Sequence, residues 1–205
     1  MYSYEADDDV QVRSPETSKL LNTNPDSISI GGISAGGNLS LALQHMARDA
    51  GIPLKLCMAT VPSTLDVLAY KHVTESPFKS FMHFSRGPVL PWKRIKYFGQ
   101  FAFPPDKVDM LRAKYPDFWF APLRAKRWDG LCETYIRTGE ADPLRDEGEA
   151  YARKLIEEGH GVNVCVKRYK GAPHTFMYFD KIGLKSKVEF DEDSKRALRA
   201  AHFGF

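Results

Sequence analysis

Gly31-Gly32-Ile33-Ser34-Ala35-Gly36-Gly37 sets one serine among glycines where an apolar segment gives way to a helical one. Ser27 to Ile30 reads as a short strand. From Asn38 onward Leu39, Ala42, Leu43, Met46, Ala47 and Ala50 recur at the spacing of one helical face. Between the two the backbone must turn sharply. Gly32 and Gly36, two before and two after the serine, omit Cβ atoms that are expected to collide in such a turn, and Ala35 keeps the next position small. Ser34 is then expected to project from a strained strand-to-helix bend, with the Ala35 N–H and the helix N-terminus beside it favouring negative charge. A Gly-x-Ser-x-Gly run alone fits a flexible turn equally well, so the rest of the chain decides.

Downstream, the helix should stop near Gly51, a C-terminal cap followed by Pro53. Leu54 to Val61 is nearly all apolar, the texture of a strand buried on both faces of a parallel sheet. Across 62–129 the pattern changes, with repeated prolines and crowded aromatics, and a connection that long reads as an inserted lid or cap. Helices are expected over Trp92 to Phe101 and Lys107 to Lys114. Phe78, Phe81, Phe84, Phe118, Trp119 and Phe120 either line an apolar pocket or form the insertion's own core. Cys132 to Thr138 is a third strand, and Gly139 to Pro143 a loop. A helix follows with Leu144, Gly148, Tyr151, Ala152 and Leu155 on one face, ending near Gly159. Val162 to Tyr169 alternates as an edge strand covered on one face would. Lys170 to Thr175 is read as a loop, and a last helix runs from about Glu192 to His202. Upstream, Ser14-Pro15-Glu16 opens a short helix to about Leu21. This β-α-β, insertion, β-α-β-α order predicts an α/β fold in one domain over 1–205, with about four mostly parallel strands.

The 205 residues, 43% hydrophobic and 12% aromatic, suit one sizeable core. No apolar run approaches the ~20 residues of a membrane span, so no stable membrane insertion is expected. The start carries Asp7-Asp8-Asp9 where a secretory signal would be basic and then apolar, which makes the cytoplasmic compartment the default. Cys57, Cys132 and Cys165 show no metal-ligand spacing and are read as reduced core residues, so no metal or cofactor is expected. A net charge of +3 does not imply nucleic acid. The middle third does interleave cations with Trp92, Tyr97, Phe98, Phe101 and Phe103, a pattern open to single-strand binding. An apolar cap with a solvated outer face accounts for it as well.

Ser34, Asp142 and His174 each fall just after the carboxyl end of an expected strand, where open α/β sheets place their chemistry. A serine hydroxyl needs a base to take its proton as it attacks, and an imidazole suits that task. The imidazole in turn needs an acceptor on its other nitrogen, and Asp142 is the candidate. The order Ser, Asp, His is the one associated with an α/β-hydrolase sheet. Taken singly, Asp142-Pro143 is also an ordinary helix start and His174 an ordinary loop histidine, which is how His45, His72, His83, His160 and His202 are read. Asp146, about a turn further on, is a rival acid.

Gly32-Ile33-Ser34-Ala35-Gly36-Gly37-Asn38-Leu39, the run Asp142-Pro143-Leu144-Arg145-Asp146-Glu147-Gly148-Glu149-Ala150-Tyr151-Ala152, and His174-Thr175-Phe176 resemble the nucleophile, acid and histidine motifs of the hormone-sensitive-lipase-like carboxylesterases of the α/β-hydrolase superfamily. The resemblance covers about residues 14–203. It implies Ser34 as nucleophile, Asp142 as orienting acid and His174 as general base. It further implies small-molecule esters of short to medium acyl chains as substrates, cleaved through an acyl-enzyme without metal or cofactor. Ile33 stands where many members have an acid. The family's upstream His-Gly-Gly motif, which supplies most of the oxyanion hole, has no counterpart in residues 1–31, and the Ala35 N–H is the evident donor. The strands found match the family's fifth to eighth, a partial fold whose first strand would be an exposed apolar edge. Two expectations follow. Either the chain is a truncated or divergent, weakly active product, or a partner such as a second copy covers the edge in a homodimer. A binding or regulatory module that keeps the pocket without the chemistry is the alternative.

Overall fold

The computed structural model describes residues 19–20, 22–66, 70–104, 106–180 and 184–204. Four strands form one sheet in the order β1-β2-β3-β4, where β1 is Ser29–Ile33, β2 Leu56–Thr60, β3 Glu133–Ala141 and β4 Val164–Pro173. Every neighbouring pair is parallel, with Ile33 opposite Thr60 and Thr60 opposite Arg137. The helices are α1 (Ala35–Asp49), α2 (Lys79–His83), α3 (Trp92–Ala102), α4 (Val108–Lys114), α5 (Arg145–Glu158) and α6 (Lys185–Phe203). The α/β alternation read from the sequence is therefore present, and α3 and α4 fall within a residue of their expected bounds. The helix expected at 14–21 lies largely outside the described residues.

Three strands run further toward their carboxyl ends than the sequence suggested. β1 continues through both glycines to Ile33, because Gly31 and Gly32 pair in register with Met58 and Ala59. β3 carries on to Ala141 across an irregularity at Gly139, and β4 to Pro173, so the expected loops Gly139 to Pro143 and Lys170 to Thr175 are mostly ladder. The last helix begins at Lys185, a turn and more before Glu192.

One face of the sheet carries α1 and α5. Leu41 of α1 and Tyr151, Ala152 and Leu155 of α5 pack with Cys57, Ala59, Ile136, Trp128 and Leu131. On the other face Phe190 of α6 joins Tyr169, Ala172, Phe176 and Val61. β4 is thus covered in part on both faces, and the expected alternation fails: Val166 is 42% exposed while Lys167 pairs with Asp193 of α6. Cys165 is exposed rather than core, Cys132 is half-buried, and Cys57 alone is fully buried.

The buried stripe of α1 also differs from expectation. Ala42 is buried as expected, but Leu39 and Leu43 are 60% and 48% exposed, while Gly37, Ser40, Leu41, Gln44 and His45 are buried. Polar side chains can occupy that face because they satisfy one another. Gln44 donates to the Tyr151 hydroxyl at 2.8 Å and accepts from Thr134 at 3.0 Å, and the same hydroxyl lies 2.9 Å from His45 Nε2. His45 is therefore a buried network member and not a loop histidine. His202 likewise meets two side chains, Ser27 and Ser29, each at 2.7 Å.

Burial, and next the Arg48 charge, lower the His45 pKa to about 4. Its neutral form is favoured on folding, so this contribution is complete above about pH 6.5 and is lost as pH falls toward 4. Tyr151→Phe strands two buried partners at once and should cost about 1–3 kcal/mol in urea unfolding at pH 7, with the fold otherwise retained.

Candidate active site

A single residue separates β1 from α1. Ser34 has φ 57° and ψ −115°, left-handed backbone that a serine adopts only under constraint. Its N–H is tied to Thr60 O of β2 at 2.9 Å, so the turn is braced against the neighbouring strand. Gly32 is sterically required, because a Cβ there would stand 2.3 Å from the Gly36 carbonyl. Gly36 is not required for the reason expected, since a Cβ on it would meet nothing within 4 Å. The second tight position is Gly37, whose added Cβ would lie 3.0 Å from Pro62 Cβ and 3.2 Å from Thr60 O. The amides of Ala35, Gly36 and Gly37 form the first turn of α1 and have no acceptor within the helix, which makes the space beside Ser34 favourable to an oxyanion.

Asp142 follows β3 directly and is fully buried. Its Oδ1 accepts the Leu144 N–H at 2.8 Å, which leaves Oδ2 pointing at the imidazole. His174 follows β4 directly, and Thr175 beside it adopts φ 54°. His174 Nδ1 lies 2.8 Å from Asp142 Oδ2, and Nε2 lies 2.9 Å from Ser34 Oγ. A carboxylate only accepts, so Nδ1–H donates to Asp142 and Nε2 remains free to accept the Ser34 hydroxyl. The three side chains named from the sequence are thus brought together from three strand ends. Chemically, the hydroxyl can lose its proton to Nε2 as it attacks a carbonyl, with Asp142 offsetting the charge the ring gains.

The rival acid is turned elsewhere. Asp146 Oδ2 accepts the Ser80 N–H of α2 at 2.8 Å, and Oδ1 accepts from Arg145 at 2.8 Å. Burial works against its ionisation, but the bonds from Arg145 and Ser80 outweigh it and hold the carboxyl below the usual range.

In front of Ser34 opens a cleft of about 750 Å³, walled by Leu65, Leu90, Ile95, Phe98, Phe103, Leu111, Tyr115, Trp119, Phe120 and Leu144 among others. Among the described residues, none that lines it is charged. Of the six aromatics singled out in the sequence, Trp119 and Phe120 line it. Phe78 and Phe81 pack behind the wall, against Leu90, Ile95 and Leu144, Phe118 packs behind α1, and Phe84 lies under Arg145. Sequence reasoning missed Asn38, whose Nδ2 donates to Ser63 O at 2.9 Å, and Glu147, which is fully buried. An acid in the first turn of a helix reads as a dipole partner, and nothing in the sequence marked this one as interior. Among the described residues no group of three or more His, Cys, Asp or Glu could hold a metal, and no helix is long and apolar enough to cross a membrane.

A family model described as alpha/beta hydrolase fold matches residues 6–178. The chain belongs to that family. The resemblance drawn from its motifs is borne out by esterases among the relatives. The chain is 33% identical over 160 residues to an arylesterase of Saccharolobus solfataricus, a match covering 76% of this chain and 48% of that one. It is 29% identical over 188 residues to an AB hydrolase superfamily protein of Schizosaccharomyces pombe, covering 91% and 52%. Carboxyl esterase 2 from the fungus Tuber melanosporum has a solved structure that superposes with a TM-score of 0.75 at 25% identity, covering 91% of this chain and 57% of its own. The chain therefore spans about half the length of the curated relatives it matches.

The elbow geometry separates its two central glycines. Gly32→Ala should destabilise by about 3 kcal/mol, the upper end of ordinary overpacking, because the clash is with backbone. Gly36→Ala should leave the melting temperature unchanged or slightly raised, as an alanine in a first helical turn would. Thermal unfolding of the two variants checks both.

Proposed function

We propose that the chain is a carboxylic ester hydrolase acting through Ser34 as nucleophile, His174 as general base and Asp142 as the acid that orients it. The observation that supports this most is the imidazole hydrogen-bonded at once to the serine hydroxyl and to a buried carboxylate. Attack of Ser34 Oγ on the ester carbonyl transfers its proton to His174, and the same proton then leaves with the alcohol. Water, deprotonated by His174, releases the acyl group and restores the serine. The Ala35 N–H stands at the start of α1 to receive the developing negative charge. The apolar, uncharged cleft suits esters of short to medium acyl chains. Residues 62–129, which supply most of its wall, act in this reading as a cap within one α/β-hydrolase domain, and a second copy covers the outer edge of β1 in a homodimer.

A second reading, resting on the same apolar cleft, is a binding or regulatory module that keeps the pocket without the chemistry.

A fluorophosphonate probe should label the wild-type chain and not Ser34→Ala. Asp142→Asn, which presents an amide donor to Nδ1, should slow labelling on the order of 10⁴-fold. Turnover of p-nitrophenyl acetate and butyrate then separates the readings: labelling without turnover favours the binding module, and no labelling of folded protein rejects an activated serine. Light scattering after size exclusion tests the dimer, and a monomer that persists across a wide concentration range rejects it.

A further inference from the structure

We propose that Glu147 is a positioning residue for the Ser34 site: its buried carboxyl clamps residues 63–65 of the cleft wall to the helix that follows Asp142. The proposal rests on the hydrolase reading above for its kinetic consequences and on geometry alone for the clamp.

Glu147 lies in the first turn of α5 and has no exposed surface. Its Oε1 accepts two consecutive amides, Thr64 N–H at 2.6 Å and Leu65 N–H at 3.4 Å. Its own backbone carbonyl accepts the Thr64 hydroxyl at 2.9 Å. One residue therefore makes three bonds to the dipeptide that opens the insertion. Oε2 is buried and has no hydrogen-bond partner among the described residues. A carboxylate here would leave an anionic oxygen unpaired in the interior, which is far costlier than a neutral O–H. Burial accordingly lifts the Glu147 pKa to about 8, opposed by the amides of Thr64 and Leu65 and reinforced by the charge of Asp142. The other ionisable groups around it do not neutralise it. Tyr70 in the insertion is itself pushed up by burial and then by Glu147, and Asp146 on the same helix is engaged by Ser80 and Arg145.

What the clamp holds is part of the site. Ser63 and Leu65 line the cleft together with Ser34. From the other side Asn38, on the helix that begins at the elbow, donates to Ser63 O, and the Ser63 hydroxyl donates to Leu65 O at 3.2 Å. Pro62 just before them is wedged between the two helices: an added Cβ on Gly37 would come within 3.0 Å of it, and one on Gly148 within 3.4 Å. The wall is thus pinned to α1 by Asn38 and to α5 by Glu147. Loosening the second pin moves the surface that meets the substrate and leaves the Ser34–His174–Asp142 bonds in place.

Glu147→Gln keeps an acceptor for the two amides and stays neutral at every pH, whereas Glu147→Leu keeps the bulk and loses the acceptor. Kinetics with p-nitrophenyl butyrate at pH 7 should give Glu147→Gln values within about twofold of wild type. Glu147→Leu should show a KM raised about tenfold, with fluorophosphonate labelling within about threefold of wild type. Melting temperatures give an arm that needs no activity. The folded pKa lies above the unfolded value of 4.5, so the neutral carboxyl's contribution is complete below that value and is lost as pH rises toward 8. Wild type should therefore lose stability relative to Glu147→Gln between pH 5 and 8, and the two should run parallel above that range. The proposal is overturned if Glu147→Leu keeps the wild-type KM, if Glu147→Gln is as impaired as Glu147→Leu, or if wild type and Glu147→Gln show parallel stability throughout. Wild-type protein that neither labels nor turns over rejects the hydrolase reading, and the pH comparison still decides the clamp.

Discussion

Everything at this site follows from the close approach of Gly32 to Gly36. The chain leaves β1 and enters α1 with Ser34 alone between them, and the contact of the two glycine backbones makes so short a turn possible. The cost is a serine in left-handed backbone, offset by its N–H bond to Thr60. In return the hydroxyl is aimed across the strand ends, where β3 and β4 each deliver one further side chain. A parallel sheet makes this economical. All four strands point the same way, so residues distant in sequence arrive at one rim without any long arm to position them.

The stretch Asp142 to Glu147 does more than supply an acid. Asp142 holds the imidazole, and Pro143 O accepts from Ser80. Leu144 packs with Phe81, Leu90 and Ile95. Asp146 caps the start of α2, and Glu147 grips Thr64 and Leu65. This short run thus ties the inserted segment to the sheet at three places: Thr64 and Leu65, the start of α2, and Leu90 with Ile95 of α3. The cleft wall and the Asp142–His174 hydrogen bond are thus held by one short scaffold.

Much of this was legible in the sequence. Ser34, Asp142 and His174 could be named because strand ends are readable from apolar runs, and because the chemistry demands a nucleophile, a base and an acceptor in that setting. What could not be read depended on partners far along the chain. The exposed stripe of α1 looked like its buried face because Leu39 and Leu43 are apolar, whereas Gln44 and His45 are interior only because Tyr151 and Thr134 meet them. Gly36 seemed cramped and Gly37 unremarked, and only the position of Pro62 reverses that order. Cys165 was taken for core because it lies within a strand, although the alternation of that strand sets it with Asn163 and Lys167 opposite the valines, and it is exposed. Glu147 carries no local sign of its burial at all.

Among the described residues no strand pairs with the outer side of β1, the strand that carries Ser34. On its inner side the ladder to β2 runs from Lys55 N–H on Ile28 O at one end to Ser34 N–H on Thr60 O at the other. Ser34 is thereby the last rung of that ladder, and its position is indexed to β2 by the same register that pairs Ile33 with Thr60.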